Sequence, residues 1–253
     1  MEREIQILAN AEDLAREAAS AFVQVAKDAV KTNGRFAVAL SGGSTPKALY
    51  SLLASDAALK SQMPWAQSHF FWGDERHVPP DNADSNYRMT NEAMLSKVPV
   101  PPANVHRVKA ELADAQQAAE EYEKTLRAFF GGSAGQFPRF DLVLLGMGPD
   151  GHTASLFPGT EALREKSRLF VANWVPKFES YRLTLTLPVL NNAACVVFLV
   201  GGTEKAETLR AVLEEQPGAY PSQMVQPANG KLVWMVSKDA ASLLSANQMK
   251  GTA

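Results

Sequence analysis

The chain has 253 residues, of which 46% are hydrophobic, enough to form one large α/β domain or two small ones. Its 25 basic and 27 acidic residues leave a net charge of −2, which excludes a general attraction to nucleic acid or to an anionic membrane. No apolar run approaches the roughly 20 residues that cross a bilayer, and the acidic start at residues 1–4 is unlike a secretory leader. We therefore expect a cytoplasmic protein.

Apolar runs with the length of buried strands alternate with helical patterns along the chain. Asn10 is expected to cap the first helix and Gly34 to end it. The predicted strands are 5–8, 36–40, 69–72, 142–145, 183–187, 195–200 and 232–236. The predicted helices are 11–30, 46–53, 85–95, 114–130, 204–213 and 240–245. This alternation predicts a doubly wound α/β fold with a mainly parallel sheet.

The domain organisation follows from the scarcity of linkers. The linker-like stretches 99–102 and 131–135 are short, which predicts a single domain over residues 1–253. Cys195, the one cysteine, lies inside the apolar run 193–200. It excludes a disulfide within the chain, predicts a reducing compartment and is expected to pack in the core.

The loop after the strand 36–40 reads Ser-Gly-Gly-Ser-Thr-Pro at residues 41–46. Two glycines let the backbone approach a ligand, and Thr45 is expected to cap a helix that starts at Pro46. Free amides and the positive helix end predict a phosphate site, to which the hydroxyls of Ser41 and Ser44 can add hydrogen bonds. An ordinary strand-to-helix turn would have the same pattern. The loop is not a Walker motif, because Lys47 lies inside the helix.

Two further polar loops follow predicted strands. One carries four ionisable side chains at residues 74–77, including Asp74 and Arg76, although a solvated surface turn would look similar. The other, Gly-Met-Gly-Pro-Asp-Gly-His-Thr at residues 146–153, places Asp150 and His152 on a turn after a buried strand. The carboxyl ends of parallel strands lie on one edge of the sheet, so these loops can share a crevice with residues 41–46.

Two basic residues, Arg182 and Lys205, are placed where they could contribute to that crevice. Arg182 opens the strand pattern 182–187, where any exposed basic residue would also fit. Lys205 lies in the first turn of a helix, where its charge opposes the helix dipole unless an anion neutralises it, which makes Lys205 a ligand candidate; a solvated lysine is the alternative.

Cofactor motifs are weak. The pattern Gly146-x-Gly148-x-x-Gly151 matches the dinucleotide fingerprint literally, but no acidic residue ends the next possible strand. The four histidines have no metal-ligand spacing and the cysteine is solitary, so we expect no metal site. No serine-nucleophile elbow is present, which argues against an acyl-enzyme.

Taken together, residues 41–46, residues 74–79 with Ser85-Asn86-Tyr87, and above all residues 146–159 resemble the glucosamine-6-phosphate isomerase/6-phosphogluconolactonase family, and within it the lactonases. The resemblance continues through Arg182 and Gly201-Gly202 to Lys205 and covers nearly the whole chain. It implies a Rossmann-like three-layer α/β/α sandwich. It also implies hydrolysis of 6-phospho-D-glucono-1,5-lactone to 6-phosphogluconate, in the oxidative pentose phosphate pathway, without a cofactor.

The resemblance and the residue chemistry together suggest roles. His152 is expected to activate water, because an imidazole with an ordinary pKa of about 6.5 is largely neutral at neutral pH. Asp150 would orient or polarise that ring, Asp74 would be a secondary acid or base, and Arg76 would face the substrate as a cation or oxyanion partner. The expected phosphate contacts are Ser41, Gly42, Gly43, Ser44, Arg182 and Lys205.

Two other functions stay open. A glucosamine-6-phosphate deaminase would carry Asn-Glu-Pro after its Asp-Gly-His segment, where this chain has Leu156-Phe157-Pro158, and Asp-Glu-Tyr in place of Asp74-Glu75-Arg76. A non-catalytic sugar-phosphate sensor usually accompanies a DNA-binding segment, for which 253 residues leave no obvious room. The expected partner is a small phosphosugar lactone, with no nucleic acid or membrane bound, and the expected state is a monomer.

Overall fold

The structure, a computed structural model, describes residues 3–131, 135–216 and 218–245. Within these residues the strands are β1 (Arg3–Leu8), β2 (Phe36–Leu40), β3 (Ser68–Trp72), β4 (Asp74–Arg76), β5 (Leu142–Leu145), β6 (Phe170–Val175), β7 (Ser180–Leu185), β8 (Cys195–Val200) and β9 (Lys231–Ser237). The helices are α1 (Ala11–Asn33), α2 (Ser44–Ser55), α3 (Ala57–Gln62), α4 (Asn86–Ala93), α5 (Ala115–Phe130), α6 (Leu187–Leu190) and α7 (Ala206–Glu214).

The main sheet has six strands in the order β1-β9-β8-β5-β2-β3, and all neighbours in it are parallel. Helices flank it, as parallel connections require. Every residue of the central strands β2 and β5 is buried, which explains their unbroken apolar sequences. The predicted α/β fold with a mainly parallel sheet is confirmed, while the single-domain organisation stays a prediction.

The first helix shows how local sequence sets element ends. The side chain of Asn10 accepts a hydrogen bond from the backbone of Asp13, and Gly34, with φ of 73°, ends α1 in the left-handed region. Both predicted caps are therefore confirmed. One face of α1, from Leu14 to Ala29, packs into the hydrophobic core.

A second, three-stranded sheet with the order β4-β7-β6 is antiparallel and was not predicted. The predicted strand 183–187 is wrong in extent, since β7 ends at Leu185 and α6 begins at Leu187. Pro188 fits the first turn of a helix and cannot donate to a strand ladder, so the strand stops before it. Gly73 joins the sheets: its N–H donates to Leu40 at 2.8 Å and its carbonyl accepts from Leu185 at 2.8 Å.

Two helix predictions are also corrected. The helix predicted at 46–53 begins at Ser44 with Gly43 as its cap, so Thr45 lies inside the first turn and does not cap it. Gly43 has a φ of 107°, which turns the chain into the helix two residues earlier than expected. The helix predicted at 240–245 is instead a series of turns, whose buried residues Ala240, Ala241 and Leu244 pack into the core.

The cysteine and the apolar character of the helices were also subjects of prediction. Cys195 begins β8, is half-buried against the core, and burial raises the pKa of its thiol. Of the helices in the described ranges, none combines the length and the apolar character that crossing a bilayer demands.

Candidate active site

The carboxyl ends of β2, β3, β5 and β8 surround a cavity of about 300 Å³. It receives most of the residues expected to form a site, from all three predicted loops. They are Ser41, Gly42, Gly43, Ser44, Asp74, Arg76, His152 and Lys205. Asp150 and Arg182 are not part of its lining. The polar loops that are distant in sequence thus share one crevice, as the parallel topology requires.

One wall of the cavity is the Ser-Gly cradle, which we define as residues 41–44. The phenol of Tyr50 clamps its first residue, accepting from the N–H of Ser41 at 3.0 Å and donating to the Ser41 carbonyl at 2.9 Å. Gly42 lies directly against the side chain of Asn86, so that an added Cβ would overlap it. The cradle therefore needs both glycines, Gly42 for space and Gly43 for its backbone angle.

The cradle leads straight into the N-terminus of α2, where no side-chain hydrogen bond caps the described backbone. The amides of the first turn and the positive end of the helix dipole consequently point at the cavity wall. Lys205, at the N-terminal end of α7, contributes a cation to the same cavity, whereas Lys47 is exposed and outside its lining. This combination suits an anion such as a phosphate group.

Another wall is the Asp-His loop, residues 146–155. The carboxylate of Asp150 accepts hydrogen bonds from Nδ1 of His152 and, at 3.3 Å, from its backbone N–H. Burial raises the pKa of the Asp150 carboxyl, but the hydrogen bonds and charge of His152, with help from Lys177, outweigh it and lower the pKa to about 2. The ionised carboxylate can only accept, so it holds the proton on Nδ1 and leaves Nε2 with a free lone pair.

Glycines allow this loop to close tightly around the imidazole. A Cβ at Gly148 would overlap the ring of His152, and a Cβ at Gly151 would overlap the ring of Tyr220. Gly151 also has a φ of 70°, in the region that favours glycine, and its carbonyl accepts from the N–H of Ser222 at 3.0 Å. The turn thus decides the contact between Asp150 and His152, which residue spacing alone left open.

Side chains beyond the turn hold its far end. The ring of Phe157 stacks on the ring of His152 with centroids 4.0 Å apart. Ser155 donates from its hydroxyl to Asp74 at 2.7 Å, which links the Asp-His loop to β4. Ala154, which lies between His152 and Ser155 in the chain, also lines the cavity. It has a φ of 47°, an unusual conformation for a residue with a side chain. These contacts hold the imidazole in a defined orientation.

The charged run at residues 74–77 separates into different tasks. Asp74 is buried and lines the cavity. Glu75 is buried beneath it, where its carboxylate accepts from the N–H groups of Asn86 at 2.7 Å and Tyr87 at 2.8 Å, at the start of α4. Glu75 is therefore a structural acid. Arg76 lines the cavity and donates to the carbonyl of Asp84 at 3.1 Å.

Arg182 lies in the middle of β7, directly opposite Arg76 in the antiparallel register, so it does not open the strand as expected. It is half-buried, and burial together with the nearby Arg76 guanidinium lowers its pKa. Like charges facing each other across a strand pair destabilise it, and the nearby carboxylates of Asp74, Asp84 and Glu75 act against this by raising the pKa of Arg182. Direct contact between Arg182 and a phosphate stays a prediction.

The histidines expected to stand apart include one spatial pair. Nδ1 of His69 lies 3.3 Å from Nε2 of His106, and burial lowers the pKa of both rings, that of His106 to about 4. In the described ranges, no group of three or more His, Cys, Asp or Glu side chains is placed to hold a metal ion.

Sequence reasoning missed several residues that shape the site. The most important are Asn86, Ser155, Phe157, Lys177, Glu204 and Tyr220. Asn86, Ser155 and Phe157 lay within the motifs that carried the resemblance and could have been assigned from them. Lys177 and Tyr220 lie outside every motif, and only the folded chain brings them to the site.

Comparison with known proteins defines the class of protein to which this site belongs. The model of a family described as glucosamine-6-phosphate isomerases/6-phosphogluconolactonase matches residues 9–234, so the chain belongs to this family.

Two relatives and one solved structure are similar to this chain over nearly its whole length. The chain is 42% identical over 246 residues to a 6-phosphogluconolactonase of a Synechocystis species, with 96% of this chain and 99% of the relative covered. A 6-phosphogluconolactonase of a Nostoc species is 40% identical over 247 residues, with 97% of this chain and all of the relative covered (100%). The solved structure of 6-phosphogluconolactonase from Trypanosoma cruzi superposes with a TM-score of 0.85 at 32% identity, covering 97% of this chain and 98% of that one.

Proposed function

We propose that this chain hydrolyses 6-phospho-D-glucono-1,5-lactone to 6-phosphogluconate, a step of the oxidative pentose phosphate pathway. One observation carries the proposal: a single cavity is lined both by His152, held by Asp150, and by the Ser-Gly cradle with Lys205. A lactone with a distant phosphate needs both features at once. The relatives with 40–42% identity, named 6-phosphogluconolactonases, support the same activity.

In the proposed mechanism, Nε2 of His152 takes a proton from water, and the resulting hydroxide attacks the lactone carbonyl carbon. The tetrahedral intermediate collapses by breaking the bond to the ring oxygen, which receives the proton from the imidazolium. The ring opens to the free acid, and the imidazole returns to its neutral form. Asp150 stabilises the transient imidazolium, as an ionised carboxylate beside Nδ1 must.

The positive groups have separate proposed tasks. Arg76, which lines the cavity together with His152, stabilises the oxyanion as it develops. The cradle amides, the hydroxyls of Ser41 and Ser44, and Lys205 hold the phosphate. Arg182 is proposed as a further phosphate cation. It lies beside Arg76, outside the lining, so we expect a smaller effect from its loss than from that of Lys205.

Asp74 is proposed as a secondary acid or base. Its carboxylate lines the cavity, and the hydroxyl of Ser155 holds one of its oxygens at 2.7 Å. The other oxygen lies 3.5 Å from the side-chain amide of Asn86, so the carboxylate is held in the wall of the cavity.

The site lacks a residue that a deaminase would need. Where a deaminase would carry its glutamate, the chain places Phe157, and this apolar ring stacks on His152. No carboxylate is supplied at that position, which supports the lactonase over the deaminase.

Purified protein added to freshly generated 6-phosphogluconolactone tests the function. Product formation, followed through NADP reduction by 6-phosphogluconate dehydrogenase, is expected to exceed the rate in buffer alone, because the lactone also opens uncatalysed. Glucosamine 6-phosphate in a parallel reaction should release no ammonia. Ammonia release would support the deaminase instead, and binding without turnover of either compound would support a sensor.

The cellular setting is part of the proposal. We expect the protein to act in the cytoplasm, where the single half-buried thiol of Cys195 would stay reduced. We also expect a monomer, which sedimentation velocity of the purified protein can check.

A further inference from the structure

The hairpin between β6 and β7 reaches the Asp-His loop from outside the cavity. Its tip is the β6–β7 turn, residues 176–179, which begins with Pro176 and ends with Glu179 at a φ of 45°. The turn contains two consecutive side chains that contact the Asp-His loop or its neighbours. They are Lys177 and Phe178.

Lys177 holds the oxygen of Asp150 that His152 does not use. Its ammonium donates to Oδ2 of Asp150 at 3.2 Å, while Oδ1 accepts from the imidazole and from the backbone N–H of His152. The carboxylate is thereby fixed on both sides. The side chains of Lys177 and Asp150 are 55% and 29% exposed, so the contact is at the outer surface of the loop.

Phe178 supports the same arrangement through a stack of rings. It packs edge-on against Phe157 with centroids 5.6 Å apart, and Phe157 in turn lies on the His152 ring at 4.0 Å. The guanidinium of Arg182 lies 5.0 Å from the centre of the Phe178 ring. An aromatic side chain that is 43% exposed is thus held in place by contacts on more than one side.

The hairpin is anchored to the loop at its base as well as at its tip. Asn173 on β6 is buried, and its amide donates to the carbonyl of Ser155 and to the hydroxyl of Thr160, both at 2.9 Å. These hydrogen bonds tie β6, four residues before Lys177, to the residues that follow His152.

We propose that Lys177 is a positioning residue for the Asp150–His152 pair: it fixes the carboxylate that orients the imidazole and adds a positive charge near the ring. This inference rests on the proposed lactonase function and extends it to a residue outside the cavity. The ammonium also places a positive charge beside the carboxylate, so its removal changes the electrostatic field at the ring.

Other ionisable groups face the pair from the cavity side. The acidic side chains of Asp74 and Glu204 and the basic side chains of Arg76 and Lys205 line the cavity with His152. The phenol ring of Tyr220 packs against Gly151. None of the hydrogen bonds described for these groups reaches the Asp150 carboxylate, whereas Lys177 contacts it directly.

The test compares Lys177→Met and Lys177→Arg with wild type, with Lys166→Met as the control because Lys166 is exposed and outside the cavity. Lys177→Met should lower kcat about two- to fivefold with little change in KM, as the loss of a partly exposed ion pair allows. The acidic limb of its kcat/KM profile should move to higher pH by about 0.2 to 0.7 unit. Lys177→Arg should stay close to wild type.

Salt provides a readout that a purely structural role would not give. In 1 M NaCl, where the Debye length is about 3 Å, the acidic limb of wild type should approach that of Lys177→Met. If Lys177→Met matches Lys166→Met in both kcat and pH profile, or if Lys177→Arg is as impaired as Lys177→Met, the proposal is wrong.

An inactive wild-type protein would disprove the lactonase and not the role of Lys177. In that case NMR titration of the His152 ring, assigned through its absence in His152→Gln, decides the question without turnover. The ring in Lys177→Met should protonate at higher pH than in wild type and in Lys166→Met. Identical titration curves would overturn the proposal.

Discussion

The Ser-Gly cradle and the Asp-His loop line one cavity but are built in different ways. The cradle is held within a single strand-helix unit, where Tyr50 lies nine residues from the Ser41 that it clamps. The Asp-His loop depends on residues far away in the chain, including Asp74 and Lys177. A backbone anion site can thus be local, whereas an oriented base needs support from several elements. Changes in the two regions should consequently affect different kinetic constants.

The largest effect is expected from the base itself. His152→Ala should lower kcat by about 100-fold or more, the usual contribution of a general base, and should change KM far less. His77→Ala is the control, since His77 bonds to the carbonyl of Leu112 and does not line the cavity. Steady-state rates must be corrected for spontaneous lactone opening. A His152→Ala variant with wild-type kcat would remove the base from the mechanism.

Crowding the imidazole without removing it should have the next largest effect. In Gly148→Ala the new methyl group overlaps the His152 ring, so the ring must move, and displacement of a catalytic group by about 1 Å can reduce kcat up to about 100-fold. Gly146→Ala is a matched control in the same loop, because a Cβ there meets nothing within 4 Å. Similar kcat values for the two variants would show that ring orientation does not limit the reaction.

The cradle side should respond mainly in KM. Lys205→Met should raise KM about tenfold, the value of one charge-assisted contact to phosphate, with a smaller change in kcat. Lys47→Met is the control, because Lys47 lies on α2 but outside the cavity. Should Lys205→Met instead reduce kcat as strongly as His152→Ala does, the proposed difference between the two regions would be lost.

The smallest effect concerns stability at acid pH. Because the pKa of Asp150 is lowered to about 2 in the folded protein, its contribution is present above the ordinary carboxyl pKa of about 3.8 and is lost as pH falls towards 2. Asp150→Asn should therefore be less stable than wild type at pH 6, and the gap should narrow below about pH 4. Urea denaturation across this range measures it, with the exposed Asp28→Asn as control. A gap that is constant with pH would contradict the assigned ion pairs.

Much of the fold was predictable because its signals are local. The strands β2, β5 and β8 are continuous apolar runs, and Asn10 and Gly34 are standard helix ends with the expected contacts. The antiparallel sheet was missed because β4 has only three residues and its partner is distant in sequence: β4 pairs with β7 across more than one hundred residues. Thr45 was mistaken for a cap because a glycine permits the φ of 107° at Gly43 but does not require it.

The candidate site was likewise predictable only in part. Motifs indicated the residue types of the cavity wall, including His152, Lys205 and the cradle glycines. They did not show that Arg182 faces Arg76, that Glu75 is a structural acid, or that Phe157 supports the imidazole. Each of these is a contact between separate elements, and residue spacing carries no information about such contacts.

By itself, the amino-acid sequence determined the parallel strands, the glycine-rich turns at their carboxyl ends and the family to which their motifs point. Those features depend on backbone freedom, helix ends and runs of apolar residues, which are properties of neighbours in the chain. Only the tertiary structure decided that Lys177 reaches Asp150 and that Tyr220 packs on Gly151. Such contacts form only when distant segments pack together, because the geometry of the whole core sets the distance between their side chains.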